Sequence, residues 1–176
     1  MMHNLFPNKF YFIDSFKKNN IDKLDNNTGV IYRNYKDKLR IKEIIEIKRF
    51  CSKKNIKFYL SNNFKKAIDL DLDGAYLPSF NKDFKHLNFK LKSKFLILGS
   101  AHNIKEIRLK ETQKVNFIFI SSVFKKNKNY LGIHNFNKLK NSTHMKVIAL
   151  GGISKFNERK ICLLDCFGIS GISYFE

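Results

Sequence analysis

No stretch of this chain approaches the roughly 18 consecutive apolar residues needed to span a bilayer. The opening Met1-Met2-His3-Asn4-Leu5-Phe6-Pro7 lacks a charged start followed by an apolar core, so a secretion signal is not expected and a cytoplasmic location is. Cysteine is scarce. Cys51, Cys162 and Cys166 make an odd count with no framework spacing. Cys162 and Cys166 lie four apart and could share a helix face, yet no second Cys or His pair lies nearby in sequence to complete a zinc site. Both are expected in the core of the last helix. Acidic residues are also few: 15 against 34 Lys and Arg, a formal charge of +19. Lysine could neutralise nucleic-acid phosphates, but the excess forms no arm or block beyond pairs such as Lys17-Lys18, Lys53-Lys54 and Lys125-Lys126. It accompanies abundant Asn and Ile, as a compositional bias on solvated surfaces would, and nucleic acid is not the expected partner.

The chain's 176 residues are 43% hydrophobic, enough for the core of a single domain over 1–176. Short apolar runs alternate with longer charged segments of helical period, the pattern of βα units around a parallel sheet. Eight runs are expected as strands: 10–14, 29–34, 56–62, 74–79, 95–101, 115–123, 146–153 and 168–175. The clearest helix is 38–54, where Leu39, Ile41, Ile44, Ile45, Ile47, Phe50 and Cys51 mark an apolar stripe. Further helices are expected at 63–72, 103–114 and 157–165, with short helices or loops after the first, fourth and sixth strands. Phe10, Phe12, Phe58, Phe117 and Phe119 fall inside the strands.

This order is that of a (β/α)8 TIM barrel, compact beside the usual size of about 250 residues. The seventh and eighth runs end as Ala149-Leu150-Gly151-Gly152-Ile153 and Gly168-Ile169-Ser170-Gly171-Ile172-Ser173. Glycine there brings bare backbone close to a ligand, and the loops after those two strands are the usual phosphate site of the fold. The chain stops at Glu176, directly after the eighth run, so a truncated last helix is expected, with the strand exposed or covered by a partner such as a second copy.

The landmarks resemble the thiamine phosphate synthase and TenI family over nearly the whole chain. Ser100-Ala101-His102 matches the family's Ser-x-His, Ala149–Ile153 its Ala-x-Gly-Gly-Ile, and Asp73-Gly74-Ala75-Tyr76-Leu77-Pro78 its Asp-Gly-x-His-Leu-Gly. Asn116-Phe117-Ile118 and Ser122-Val123-Phe124 echo a further stretch. Of the Gln-x-Arg-Glu-Lys motif only Arg33 survives, with Tyr35 at the lysine position. The two metal-binding carboxylate positions fall on Asn62 and Asn81.

A synthase of this family joins a pyrimidine diphosphate to a thiazole phosphate, with Mg²⁺ holding the leaving diphosphate. Magnesium favours carboxylate oxygens in octahedral array, so amides at both positions argue for no metal cofactor. The resemblance then favours the TenI-like alternative, a phosphate-binding barrel and metal-independent thiazole tautomerase. His102 would be its catalytic acid–base, unless it merely caps the helix that follows. The synthase reaction, with Mg²⁺, is the alternative, and a non-catalytic ligand-sensing or partner-binding descendant is another. A phosphorylated thiazole-type molecule is the expected ligand. Gly151, Gly152, Ile172 and Ser173 would hold its phosphate, while Arg33, Ser100 and Lys128 would contact the remainder. The remaining histidines, His3, His86, His134 and His144, are expected on the surface.

Overall fold

Eight parallel strands close into a barrel in chain order, with the eighth returning to pair with the first. The computed structural model describes residues 6–35 and 39–176; His3 and the expected helix start at Lys38 lie outside them. The strands are β1 (Lys9–Ile13), β2 (Thr28–Tyr32), β3 (Lys57–Ser61), β4 (Gly74–Leu77), β5 (Leu96–Ala101), β6 (Phe117–Ser121), β7 (Lys146–Leu150) and β8 (Gly168–Ser170). Outside them lie α1 (Lys18–Asp22), α2 (Ile41–Lys53), α3 (Phe64–Asp69), α4 (Ile104–Thr112), α5 (Gly132–Lys140) and α6 (Glu158–Ile161). A 3-10 turn at Lys85–Asn88 takes the place of a helix after β4. No described helix is long and apolar enough to cross a membrane.

Alternation along each strand separates two apolar sets. Phe10, Phe12, Ile31, Tyr59, Tyr76, Leu98, Phe117, Phe119 and Ile148 fill the barrel. Tyr11, Val30, Phe58, Leu60, Ile97, Ile118, Ile120 and Val147 face the helices. The interior is rich in rings, which meet edge to face: Phe119 lies 5.0 Å from Phe10 and 5.4 Å from Tyr76. Small residues make room for them. A Cβ on Gly29 would lie 2.9 Å from the Tyr59 ring and 3.0 Å from that of Phe10.

The helices attach through their apolar stripes and a few polar anchors. Helix α2 buries Ile44, Ile47 and Cys51, the i, i+3, i+7 positions of one face. Its Glu43 accepts from the Phe16 amide and from the Tyr32 hydroxyl, each at 2.8 Å, tying α2 to both neighbouring strand ends. The two expected core cysteines are corrected. Cys162 is exposed, and Cys166, half-buried, follows the left-handed Asp165 that ends the last helical turn. The eighth run is shorter than expected: after Ser170 the chain forms a turn, in which Phe175 and Glu176 amides bond Ile172 O at 3.0 and 3.3 Å. Phe175 packs on Tyr11 at 5.2 Å, so the outer face beside β8 is partly covered from within the chain.

The least expected anchor is Lys110. It is fully buried on α4, and its Nζ donates to Pro78 O (2.9 Å), Asn81 O (2.9 Å) and Gln113 Oε1 (2.8 Å). Gly99 accommodates it: a Cβ there would lie 3.0 Å from Lys110 Cδ. His86, expected on the surface, is also buried here, with Nε2 at 2.7 Å from Gln113 O. Polar partners rather than solvent explain both burials.

Burial lowers the Lys110 pKa from 10.5 to about 8, with Glu106 opposing the shift. Between those values the folded chain has shed a proton that the unfolded chain still binds, so this residue adds stability as pH rises through the window. Tyr32 acts oppositely, since burial and then Glu43 push it up to about 12 and its contribution is lost only above the ordinary tyrosine value. The difference in unfolding free energy between the parent and Lys110→Met should therefore grow in the parent's favour from pH about 8 to about 10.5. Denaturation series at several pH values would check this; a flat difference would mean Lys110 is not desolvated.

Candidate functional site

The C-terminal ends of the strands open on a cavity of about 390 Å³. Its wall is built from Phe12 of β1, Arg33 after β2, His102 after β5, Ser121 and Ser122 of β6 and its loop, Gly151, Gly152 and Ile153 after β7, and Gly171, Ile172 and Ser173 after β8. Lys125, Asn127 and Asn129 close it from the β6 side. A smaller neighbouring cavity of about 190 Å³ shares Phe12, Arg33 and Ile172 and adds Lys17, Asp14 and Glu176.

Gly151 and Gly152 have φ of +98° and +76°, a region that disfavours residues with a Cβ. Space demands glycine as well. A Cβ on Gly151 would lie 2.8 Å from Ser122 Cα, and one on Gly152 would lie 2.8 Å from the Phe124 carbonyl carbon. The close approach lets Phe124 and Lys125 amides bond Gly151 O at 2.8 and 3.2 Å. Asn157 caps the far side, its Nδ2 donating to Gly152 O at 2.6 Å. No loop hydrogen bond among the described residues uses the N–H of Gly152, Ile172 or Ser173. Backbone amides left without a loop acceptor at the mouth suit an anion.

His102 has a defined tautomer. Its Nδ1 lies 2.8 Å from Ser121 O, an atom that can only accept, so in the neutral ring Nδ1 carries the proton and Nε2 is the acceptor. The histidine does not cap α4: Asn103 Oδ1 accepts from the Glu106 amide, and Glu106 in turn accepts from the His102 amide at 2.7 Å. Arg33 stacks on Phe12 with Cζ 4.5 Å from the ring centre, and no carboxylate ion pair of Arg33 is found among the described residues.

Of the expected ligand contacts, the structure brings Arg33, His102, Gly151, Gly152, Ile172 and Ser173 to one cavity. Two of the expected contacts lie off the wall of this cavity. Ser100 is buried and engaged with the Tyr76 hydroxyl rather than lining the cavity, because β5 turns that residue into the barrel plug. Lys128 is exposed and off the wall; Lys125 lines it instead, drawn in because its amide is bonded to Gly151 O. The latter position, with Asn127 and Asn129, was missed. Only the self-bonded shape of the loop reveals it, with Ser122 amide to Asn129 O at 2.9 Å and Leu131 amide to Ser122 O at 2.8 Å.

The resemblance implies a divalent metal on the β3–β4 side of the mouth, and the donors there do not suit one. Asn81 Nδ2 donates to Asn62 Oδ1 at 2.8 Å, and Asn81 Oδ1 accepts from the Asp83 amide at 2.9 Å. Asp83 itself accepts from the Lys85 amide at 2.8 Å. Asp73 is at the opposite end of the barrel, paired with Lys57 at 2.8 Å. Among the described residues no three His, Cys, Asp or Glu side chains converge as a metal set.

The packing of the β7 glycines yields a direct expectation. Gly151→Ala should destabilise the fold by roughly 2–4 kcal/mol through strain and overpacking. Denaturant titration measures it, and a loss under about 0.5 kcal/mol would mean the two loops do not interlock as described.

Comparison with known proteins places this geometry. The chain is 32% identical over 141 residues to the thiamine-phosphate synthase of Prochlorococcus marinus subsp. pastoris, spanning 78% of this chain but only 39% of that protein. It is 25% identical to the thiamine-phosphate synthase of Fusobacterium nucleatum over 74% of this chain and 64% of that one. The Persephonella marina thiamine-phosphate synthase is 26% identical over 83% of this chain and 73% of its own length. Among solved structures, thiamine phosphate pyrophosphorylase from Pyrococcus furiosus superposes with a TM-score of 0.76 at 20% identity, over 93% of this chain and 85% of that one, a likeness of fold. These relatives overturn the preference for a tautomerase, an isomerase, over a transferase: they are named synthases. That preference weighed two amide positions above the rest of the chain. The family model described as thiamine monophosphate synthase matches residues 24–175, from before β2 to beyond β8, and the chain belongs to that family.

Proposed function

We propose that this barrel binds a thiazole phosphate at its mouth and joins it to a pyrimidine diphosphate, releasing pyrophosphate. The observation that carries the reading is the convergence on one cavity of the Gly151–Gly152 turn, the Gly171–Ser173 segment, Arg33 and Lys125. The names of its relatives point the same way. In this reading the amides of Gly152, Ile172 and Ser173 hold a phosphate, since hydrogen bonds to an ionised acceptor are the strong ones. Arg33, oriented by its stack on Phe12, and Lys125 supply the positive charge that a departing diphosphate needs. His102 presents Nε2 as an acceptor for a ligand donor or proton, with its orientation set by Ser121. Ser121 Oγ, 3.1 Å from Nδ1, supports the same ring orientation.

The test is to supply purified protein with both substrates and follow pyrophosphate and thiamine phosphate together. Both products should appear in equal amounts. Arg33→Met should lower kcat/KM on the order of tenfold to a hundredfold, the worth of a charge-assisted contact. If thiazole phosphate binds but no pyrophosphate is released, the synthase reading fails and the chain is a ligand-binding descendant of the fold. If neither occurs, the cavity is not a phosphate site.

A further inference from the structure

The side of the mouth where carboxylates would hold a divalent metal is organised here by groups of the opposite kind. Two neutral amides face each other, Asn81 Nδ2 donating to Asn62 Oδ1 at 2.8 Å. The backbone oxygen of Asn81 already accepts from Lys110 Nζ at 2.9 Å and from Gln113 Nε2 at 3.2 Å. Gln113 also donates to Asp83 O at 2.8 Å, and Lys110 to Pro78 O at 2.9 Å. The loop after β4 is thus bound at three carbonyls, Pro78, Asn81 and Asp83, by one ammonium from α4 and the amide of Gln113 at its C-terminal end. The only carboxylate inside it, Asp83, is engaged by Lys85, with the amide at 2.8 Å and Nζ at 3.5 Å.

These facts share one electrostatic consequence. A magnesium ion must exchange tightly held water for anionic oxygen; the Asn62 and Asn81 oxygens are neutral and occupied, and the Asp83 carboxylate is engaged by Lys85. The buried ammonium behind them adds repulsion in a medium of lowered dielectric. The same ammonium performs what a metal bound between two strand-end loops would do for order, because it gathers carbonyls from separate points of one loop against α4. Gly99 leaves the space its stem requires, with Lys110 Cδ 3.0 Å from where a Cβ would stand.

We infer that in this chain the buried Lys110 ammonium, with Gln113 and the Asn62–Asn81 amide clasp, replaces a divalent metal as the element ordering the β4 side of the mouth, so that this face works without metal. Lys110 is a positioning residue: it reaches the site through the loop it holds. The inference extends the synthase reading, and its readouts involve no turnover, so an absence of synthase activity leaves the test intact.

Two measurements on the full chain decide it. In the first, the thermal unfolding midpoint is recorded with Mg²⁺ alone and with EDTA, for the parent and for Asn62→Asp/Asn81→Asp. The parent should show no difference, while the double aspartate variant should be stabilised by Mg²⁺. A Mg²⁺-induced rise in the parent that disappears in Asn62→Ala/Asn81→Ala would overturn the inference. In the second, amide hydrogen exchange is followed across residues 78–88 in the parent and in Lys110→Met. Exchange there should accelerate at least about tenfold in the variant, while the β1 and β6 amides stay protected and added Mg²⁺ restores nothing. Unchanged loop exchange, or rescue by Mg²⁺, would equally sink it. Should Lys110→Met fail to fold, Gln113→Met removes the second donor from the same carbonyls and is read in the same way, and the Mg²⁺ arm on the parent stands alone.

Discussion

Two strand-end loops of this barrel touch backbone to backbone, and the mouth takes its form from that contact. The loop after β6 lies on the turn after β7, so closely that Gly151 and Gly152 have no room for a Cβ. Several consequences share this cause. The amides of Phe124 and Lys125 converge on Gly151 O, which draws Lys125 onto the cavity wall. The Ser121 carbonyl is presented to His102, which sets the proton on Nδ1 and leaves Nε2 available. The glycine turn and the β8 segment line the same cavity. Bulk anywhere in this contact would disturb the glycine turn, the histidine and the lysine together.

Below the mouth, the plug of rings is what gives those loops a rigid base. Strands of three to six residues leave little ladder to hold a barrel closed. Edge-to-face packing among Phe10, Phe12, Tyr76 and Phe119 adds specific geometry to the burial of their area. Arg33 continues the stack upward from Phe12, so a cation at the mouth is positioned by the core itself. At the opposite end Lys146 lies among Phe6, Phe117 and Phe167, at 5.2, 5.6 and 4.9 Å from the ring centres, which covers the floor of the plug.

Charge in this molecule divides into a large solvated fraction and a small fixed one. The +19 excess is spread over exposed lysines, whose ion pairs with aspartates are mostly open to solvent and individually weak. Lys110 is different in kind, since it is buried and saturated by two carbonyls of one loop and by Gln113. Composition does not separate the two, because a lysine in an amphipathic segment reads as surface unless its acceptors are known. Gly99, which leaves room for the stem, and Gln113, one turn on, help make the burial tolerable.

The periodicity of short apolar runs determined the eight strands and their parallel order, because two-sided burial imposes continuous hydrophobic stretches. The intact motifs at Ser100–His102 and Ala149–Ile153 determined where the mouth would be and carried the family. Glycine at 151 and 152 was legible as bare backbone at a strand end. The fate of individual polar residues was not legible. Ser100 sits two residues from His102, yet faces into the plug; Lys128 and Lys125 differ only in which one a loop hydrogen bond pulls inward; His86 and Lys110 are buried by partners 27 to 32 residues away. Such choices depend on distances between loops that are remote in the chain. Periodicity carries the direction of a side chain within its own element, and only tertiary packing sets which partner it meets.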